Sequence, residues 1–227
     1  MKLPLSNRLL TCCQFIRPGD RVADIGCDHG YLGIYLIKSG IASGVIASDV
    51  NEGPLQSAVI NARKFGVQNQ ISFYLSDGVR NIPRDFDCMV CAGMGADTMI
   101  SILEAAPWLK DPRYRLILQC QSKRPQLRKY LAASGFSISR ETLAKDGKFL
   151  YPVMEVSFVP GKEPAPWEYY ITPQLLESHS PLLPEFLTRV IGGLEESAKG
   201  LRREGGEKYE AITEVLQHLK SLKGATP

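Results

Sequence analysis

The chain has 227 residues, enough for one well-packed core and a smaller appendage. Apolar residues make up 44% and charged residues 22%, which excludes a disordered chain, and no apolar run approaches the roughly 20 residues a membrane helix needs. Formal net charge is +3, divided as +5 over residues 1–159 and −2 over 160–227, a balance that suits a polyanionic partner on the first part.

"MKLPLSNRLL" lacks the long apolar stretch and cleavage site of a signal peptide, so a cytoplasmic location is expected. "LSNRLLTCCQFI" spaces its apolar residues as a helix and stops at "RPGD". Strands and helices then alternate. "RVADIG", "ASGVIASD", "QISFYLSDG", "DFDCMVCAG" and "RYRLILQC" read as strands. "YLGIYLIKSG", "GPLQSAVINARKFG", "ADTMISILEAA" and "KRPQLRKYLAASG" read as the helices around them. Such alternation implies right-handed crossovers and a mostly parallel sheet. The pattern changes in "FSISRETLAKDGKFLYPVMEVSFV", where two β-rich runs flank "KDGK", a strong hairpin signal. A parallel sheet closing on an antiparallel hairpin strand is the Rossmann-like plan of Class I methyltransferases rather than of most dinucleotide-binding folds.

"PGKEPAPW" reads as a linker, which divides the chain into residues 1–160 and a helical part, 161–227. Leu182, Leu183, Phe186, Leu187, Val190, Ile191 and Leu194 form one apolar stripe there. Tyr209, Ile212, Val215, Leu216, Leu219 and Leu222 form another. "REGGE" between them predicts the turn of an antiparallel helical hairpin, because Gly205 and Gly206 are costly inside one helix. These stripes fit a monomer or a weak dimer.

Six cysteines, Cys12, Cys13, Cys27, Cys88, Cys91 and Cys120, do not form a disulfide framework in such a chain. Cys88 and Cys91 make a C-x-x-C, but on a strand residues three apart face opposite sides. They read as core residues, and no metal is expected.

"VADIGCDHGYLG" carries the chemistry. A dinucleotide fingerprint needs a glycine two residues after its first, where this chain has Asp28, and a pyrophosphate disfavours a carboxylate there. S-adenosylmethionine, with a sulfonium and an α-ammonium, suits Asp24 and Asp28. Gly26 and Gly30 admit close backbone approach, and Cys27 lies between them. Asp49 ends the second strand and suits both ribose hydroxyls, with Val50 beside it. Ser76, Asp77 and Gly78 end the third strand, Asp77 facing an adenine amino group. Ala92, Gly93, Met94 and Gly95 form a glycine-rich loop after the fourth. All these ends fall on the carboxyl rim, where open α/β sheets bind ligands.

"LSNRLLT", "ADIGCDHGYL", "SDVNEGPLQSA", "SDGV", "AGMGADTMISIL" and "LILQ…LRKYLAASGF" resemble the TrmK family of bacterial tRNA (adenine-N1)-methyltransferases, which modify position 22. The resemblance covers residues 5 to 158 by motif and the helical tail by architecture. It implies S-adenosylmethionine as donor, tRNA as substrate and no metal. It also implies that Asp28, His29 and Tyr31 lie nearest the methyl group and target base. Two departures stand out: "DHGYLG" for the family's usual "DHAYLP", and "QCQ" (119–121) for "QPN".

"AGMG" occupies the place of the Asn-Pro-Pro-Tyr-like motif of many amino-group methyltransferases, which favours ring N1 as the acceptor. Asp28 is the candidate for the charge developing on the base, with a cofactor-only or helix-capping role open beside it. His29 is a candidate to orient the base and Tyr31 to stack on it; structural hydrogen bonding and packing are the plain alternatives. Lys123, Arg124, Arg128 and Lys129, with Arg8, form the candidate phosphate-binding set, against a merely solvated helix face. Lys199, Arg202, Arg203 and Lys208 offer a second RNA contact. A methyltransferase acting on another RNA, a protein or a small molecule, and a non-catalytic RNA-binding module, are the competing readings.

Overall fold

Near-continuous apolar runs such as "RVADI" and "RLILQC" suit strands covered on both faces. In the computed structural model of the chain, which describes residues 3–202 and 205–225, they lie inside one seven-stranded sheet. Its strands are β1 (Arg21–Ile25), β2 (Gly44–Asp49), β3 (Ile71–Leu75), β4 (Cys88–Met94), β5 (Arg115–Cys120), β6 (Phe136–Asp146) and β7 (Phe149–Phe158). The order is β3-β2-β1-β4-β5-β7-β6. Strands β1 to β5 pair in parallel, and β7 runs antiparallel between β5 and β6.

Helices α1 (Asn7–Cys13), α2 (Tyr31–Lys38) and α3 (Glu52–Lys64) cover one face, and α4 (Ala96–Glu104) and α5 (Arg124–Ala133) the other. Cys88 packs into the first of these layers and Cys91 into the second, as the strand period predicts. All six cysteines are free and buried. No described helix is long and apolar enough to cross a membrane.

The hairpin is longer than the turn signal alone conveys. The last β5–β7 pair is Leu118↔Met154, but β6 and β7 continue through five further pairs, Thr142↔Val153 to Asp146↔Phe149. At ~3.4 Å per residue this arm reaches about 17 Å past that pair, on the carboxyl side of the sheet. Its two faces enter different cores. Ala144 and Val153 pack with α1, while Leu143 and Leu150 pack with the C-terminal helices. Asn7 Nδ2 donates to the Lys145 carbonyl at 3.1 Å and pins the arm to α1.

The expected linker runs without regular structure to residue 165 and then winds into a 3-10 turn, Pro166–Tyr169. Beyond it lie α6 (Pro173–Glu177), α7 (Leu183–Leu201) and α8 (Glu207–Ala225). Both stripes, apart from Tyr209, supply the shared core of α7 and α8, and Lys220 Nζ bridges to Glu195 Oε1 at 2.6 Å. Gly205 and Gly206 take left-handed φ of +61° and +81°, as a turn requires; Arg203 and Glu204 of the predicted turn lie outside the described residues.

Candidate active site

The strand order reverses beside β1, between β2 and β4, and there a cavity of about 440 Å³ opens at the carboxyl ends. Asp24 sits at its floor, 5% exposed. Among the described residues its Oδ2 has no hydrogen-bond partner. Burial lifts its pKa to about 7; the Gly33 backbone N–H opposes that rise, and the Asp49 charge adds to it.

The loop after β1 is held by backbone bonds. The N–H groups of Gly26 and Cys27 both donate to the Ser48 carbonyl at 2.8 Å. Asp28 adopts φ +49°, rare for a non-glycine residue, and its N–H donates to Asp49 Oδ2 at 3.1 Å. Asp49 Oδ1 accepts from the Asn51 N–H at 2.9 Å, so this buried carboxylate joins the two loops. The side chains of Asp28 and His29 are exposed, 3.7 Å apart, and the His29 and Tyr31 rings lie 6.0 Å apart. Asp28 is not the cap of α2; Gly30 occupies that position.

Most of the predicted cofactor residues line the cavity: Asp24, Gly26, Cys27, Asp28, Asp49, Val50, Ser76, Asp77, Gly78, Ala92, Gly93 and Met94. Val50 presents an apolar side chain, 61% exposed. Ser76 Oγ accepts from the Asn81 N–H at 3.0 Å, while Asp77 pairs with Arg80 at 3.3 Å. Gly30 and Gly95 are different. A Cβ on Gly30 would stand 2.8 Å from Ala58 Cβ, and one on Gly95 would stand 2.9 Å from Ser122 Oγ. Both glycines allow close packing behind the cavity. Thr98, Asn51 and Pro54 also line it and were not singled out from sequence. For Asn51, its place directly after "SDV" is the available signal, and Pro54 follows three residues later.

The predicted RNA-binding residues separate into four environments. Lys123 and Lys129 are exposed, Lys123 pairing with Asp97 at 2.7 Å and Lys129 Nζ lying 5.4 Å from the Tyr169 ring centroid. Arg124 is half-buried, 5.3 Å from the Phe186 ring. Arg128 faces inward, against expectation. It is 3% exposed, ion-paired with buried Glu141, and donates to the carbonyls of Tyr169 and Tyr170 at 3.1 and 2.9 Å. Glu141 also accepts from Thr172 Oγ1, so α5, β6 and the start of α6 share one buried network that a phosphate does not reach. Arg8 lines the cavity itself, its Nη1 donating to Gln119 Oε1 at 3.1 Å. In the "QCQ" segment Gln119 and Cys120 are buried, and Gln121 is exposed with its N–H on the Met94 carbonyl at 2.9 Å.

A larger space of about 590 Å³ opens between α5, the start of β6 and residues 161–174. It lies away from the carboxyl rim and gathers none of the strand-end carboxylates. Size alone therefore does not mark the site; the smaller cavity holds the chemistry.

The reversed β7, the strand order and the acid-lined cavity at the switch point define a Rossmann-like methyltransferase fold. Residues 5–154 match the family model described as "Methyltransferase domain", and the chain belongs to that family. Its similarity narrows further. It is 36% identical over 149 residues to the tRNA (adenine(22)-N(1))-methyltransferase of Bacillus subtilis (strain 168), covering 65% of this chain and 63% of that one. The chain thus matches less than two thirds of that relative's length. The solved m1A22 tRNA methyltransferase TrmK of B. subtilis is 26% identical, with TM-score 0.79 over 98% of this chain and 97% of that one. Streptococcus pneumoniae Sp1610, a candidate tRNA (m1A22) methyltransferase, is 28% identical, with TM-score 0.86 over 96% of this chain and 99% of that one. The same protein has been solved in complex with S-adenosyl-L-methionine, with TM-score 0.80 over the same shares of the two chains and 28% identity.

Proposed function

We propose that this chain transfers a methyl group from S-adenosylmethionine to N1 of an adenine in tRNA, at position 22. The observation that carries the reading is Asp24: a buried carboxylate whose Oδ2 lacks a partner among the described residues, at the floor of a cavity at the topological switch point. A buried carboxylate oxygen without a partner is costly, and a cationic ligand group relieves that cost. The residues therefore fit S-adenosylmethionine: Asp24 for its positive amino-acid end, Asp49 for ribose hydroxyls, Val50 for the adenine face and Asp77 for its amino group. The names of the relatives and the complex of Sp1610 with S-adenosyl-L-methionine support the same assignment.

When bound, the cofactor supplies an electrophilic methyl group on a sulfonium. Ring N1 of adenine carries an in-plane lone pair and no proton, so the protein needs no base at that atom. Its work is positioning and exclusion of water. Asp28, held in a left-handed conformation at the cavity mouth by the Asp49 bond, accepts from the adenine amino group. It also stabilises the positive charge that develops on the ring. His29 orients the base from its place beside Asp28, and Tyr31 stacks on it. Stacking offsets part of the few kcal/mol needed to extrude a base.

Lys123 and Lys129 contact phosphates next to the cavity. Residues 1–160 act as the catalytic domain and 161–227 as a helical domain that grips a second part of the tRNA through Lys199, Arg202 and Lys208. The protein works in the cytoplasm as a monomer or weak dimer. The test is direct. Purified protein, S-adenosylmethionine and unmodified transcripts with adenine or guanine at position 22 are incubated, and the digested RNA is analysed by mass spectrometry. 1-Methyladenosine from the adenine transcript alone is expected; cofactor binding without that product overturns the substrate assignment.

A further inference from the structure

Of the aromatic residues described, Phe149 alone is exposed, at 52%. It stands at the free end of the β6–β7 arm. The turn beside it is fixed: Gly147 takes φ +57°, and Arg189 Nη1 on α7 donates to the Lys148 carbonyl at 2.7 Å. Tyr151 follows on the same face of the strand, its ring centroid 6.0 Å from that of Phe149 and the two planes inclined at 33°. Lys148 is exposed, with Nζ 5.4 Å from the Phe149 centroid, and makes no ion pair among the described residues. Two carboxylates lie near. Asp146 is half-buried opposite Phe149 in the pairing, and Glu185 is already bridged to Lys145 and Arg189.

Register places this aromatic pair against the cavity. Past the Leu118↔Met154 pair, Tyr151 lies three residues out and Phe149 five, about 10 and 17 Å along the strand. Counted along β5, Tyr151 is level with Gln121, the last residue of "QCQ". Burial chiefly pushes the Arg124 guanidinium down, and Tyr151, with Cys120 and Glu141, opposes that fall, so the phenol stands near the start of α5. On the other side Asn7 holds the Lys145 carbonyl, and the next residue, Arg8, lines the cavity. The rings therefore rise beside the cavity mouth, with cations between and around them. Unstacked RNA is held by this combination, a base on a ring face and a phosphate on a neighbouring cation. We infer that Phe149 and Tyr151 form a stacking platform for an unpaired nucleotide next to the target adenine, with Lys148 on its phosphate. This rests on the tRNA reading above. Extruding the target leaves a face of the adjoining base uncovered, and a ring fixed above the rim covers it. Phe149 is thus a positioning residue, acting through the RNA and not on the methyl group.

The test measures affinity of the full chain for the unmodified transcript with adenine at position 22, by filter binding. Phe149→Ala is expected to weaken it roughly 5- to 150-fold, the range for losing one stacked base, with the salt slope unchanged because no charge is removed. Phe149→Trp keeps the affinity. Phe149→Leu, apolar but without a ring face, loses it, and this pair carries the test if Phe149→Ala does not fold. Calorimetric binding of S-adenosylhomocysteine reports the folding of each variant. Transcripts with an abasic site on either side of position 22 locate the contact: at the stacked nucleotide the missing base weakens wild type and adds nothing to Phe149→Ala. Wild-type affinity in Phe149→Leu, or an abasic penalty as large in Phe149→Ala as in wild type at both positions, overturns the inference in favour of plain packing. Unchanged tRNA affinity in Phe149→Ala with self-association lost in sedimentation overturns it in favour of a contact between copies. Wild-type protein that binds S-adenosylhomocysteine but neither binds nor methylates the transcript overturns the tRNA reading, and the platform with it.

Discussion

Asp24 places a proton requirement on cofactor binding. Its carboxyl titrates near 7, raised from 3.8 chiefly by burial, so at pH 6 it is mostly neutral. A cationic partner needs the ionised form, and apparent affinity scales with the fraction ionised. For a group titrating at about 7 that fraction rises from about 0.1 at pH 6 to about 0.9 at pH 8, a roughly tenfold gain in affinity. The assay is calorimetric binding of S-adenosylhomocysteine at half-unit pH steps to wild type and Asp24→Asn. The ratio of the two affinities removes the ligand's own titration. The wild type is expected to tighten relative to the variant across this window and to release about half a proton per ligand near pH 7. A constant ratio refutes the reasoning. Stability of the free protein moves the other way. The folded state holds a proton that the unfolded chain has lost, so this contribution is complete below about pH 3.8 and disappears as pH rises through 7. Its full size is up to about 4 kcal/mol, three pK units at about 1.4 kcal/mol each. Asp24→Asn should therefore raise the melting temperature of the free protein at pH 8 while weakening the ligand.

Arg128→Met leaves Glu141 buried without its cation, and urea unfolding should show a loss of about 3–5 kcal/mol. Lys123→Ala and Lys129→Ala should each reduce the log–log salt slope of tRNA binding by about one, measured by filter binding; unchanged slopes would remove them from the interface. Asp28→Ala should abolish methyl transfer in single-turnover assays while tRNA affinity is retained, and surviving activity would end its proposed role at the base.

Strand ends were the most legible part of the site. A period of two and a carboxylate or glycine at each strand terminus suffice to place Asp24, Asp49, Asp77 and the 92–94 loop on one rim. The same period separated Cys88 from Cys91. Arg128 was misread because its partners are distant: in "KRPQLRKYLAA" it resembles its neighbours, and Glu141 on the next strand with the Tyr169 and Tyr170 carbonyls draws it inside. Gly30 and Gly95 look like loop glycines made for a ligand. Their close approach to Ala58 and Ser122, far along the chain, is a packing requirement that the local sequence does not display. Arg8 hides for a related reason. Nothing local in a helix that precedes the first strand says that its side chain reaches over Gly93 to Gln119.

The β6–β7 arm has a consequence for building variants of this protein. Because Leu143 and Leu150 belong to the C-terminal core while Ala144 and Val153 belong to the core under α1, a cut at residue 160 divides one core from its own wall. A graft that exchanges the helices for those of a relative must therefore carry the arm, and with it a matching α1 surface. Modularity here is a property of the arm and helices together. Any load placed on α7 and α8 passes through this shared wall to α1, the helix that holds Arg8 in the cavity.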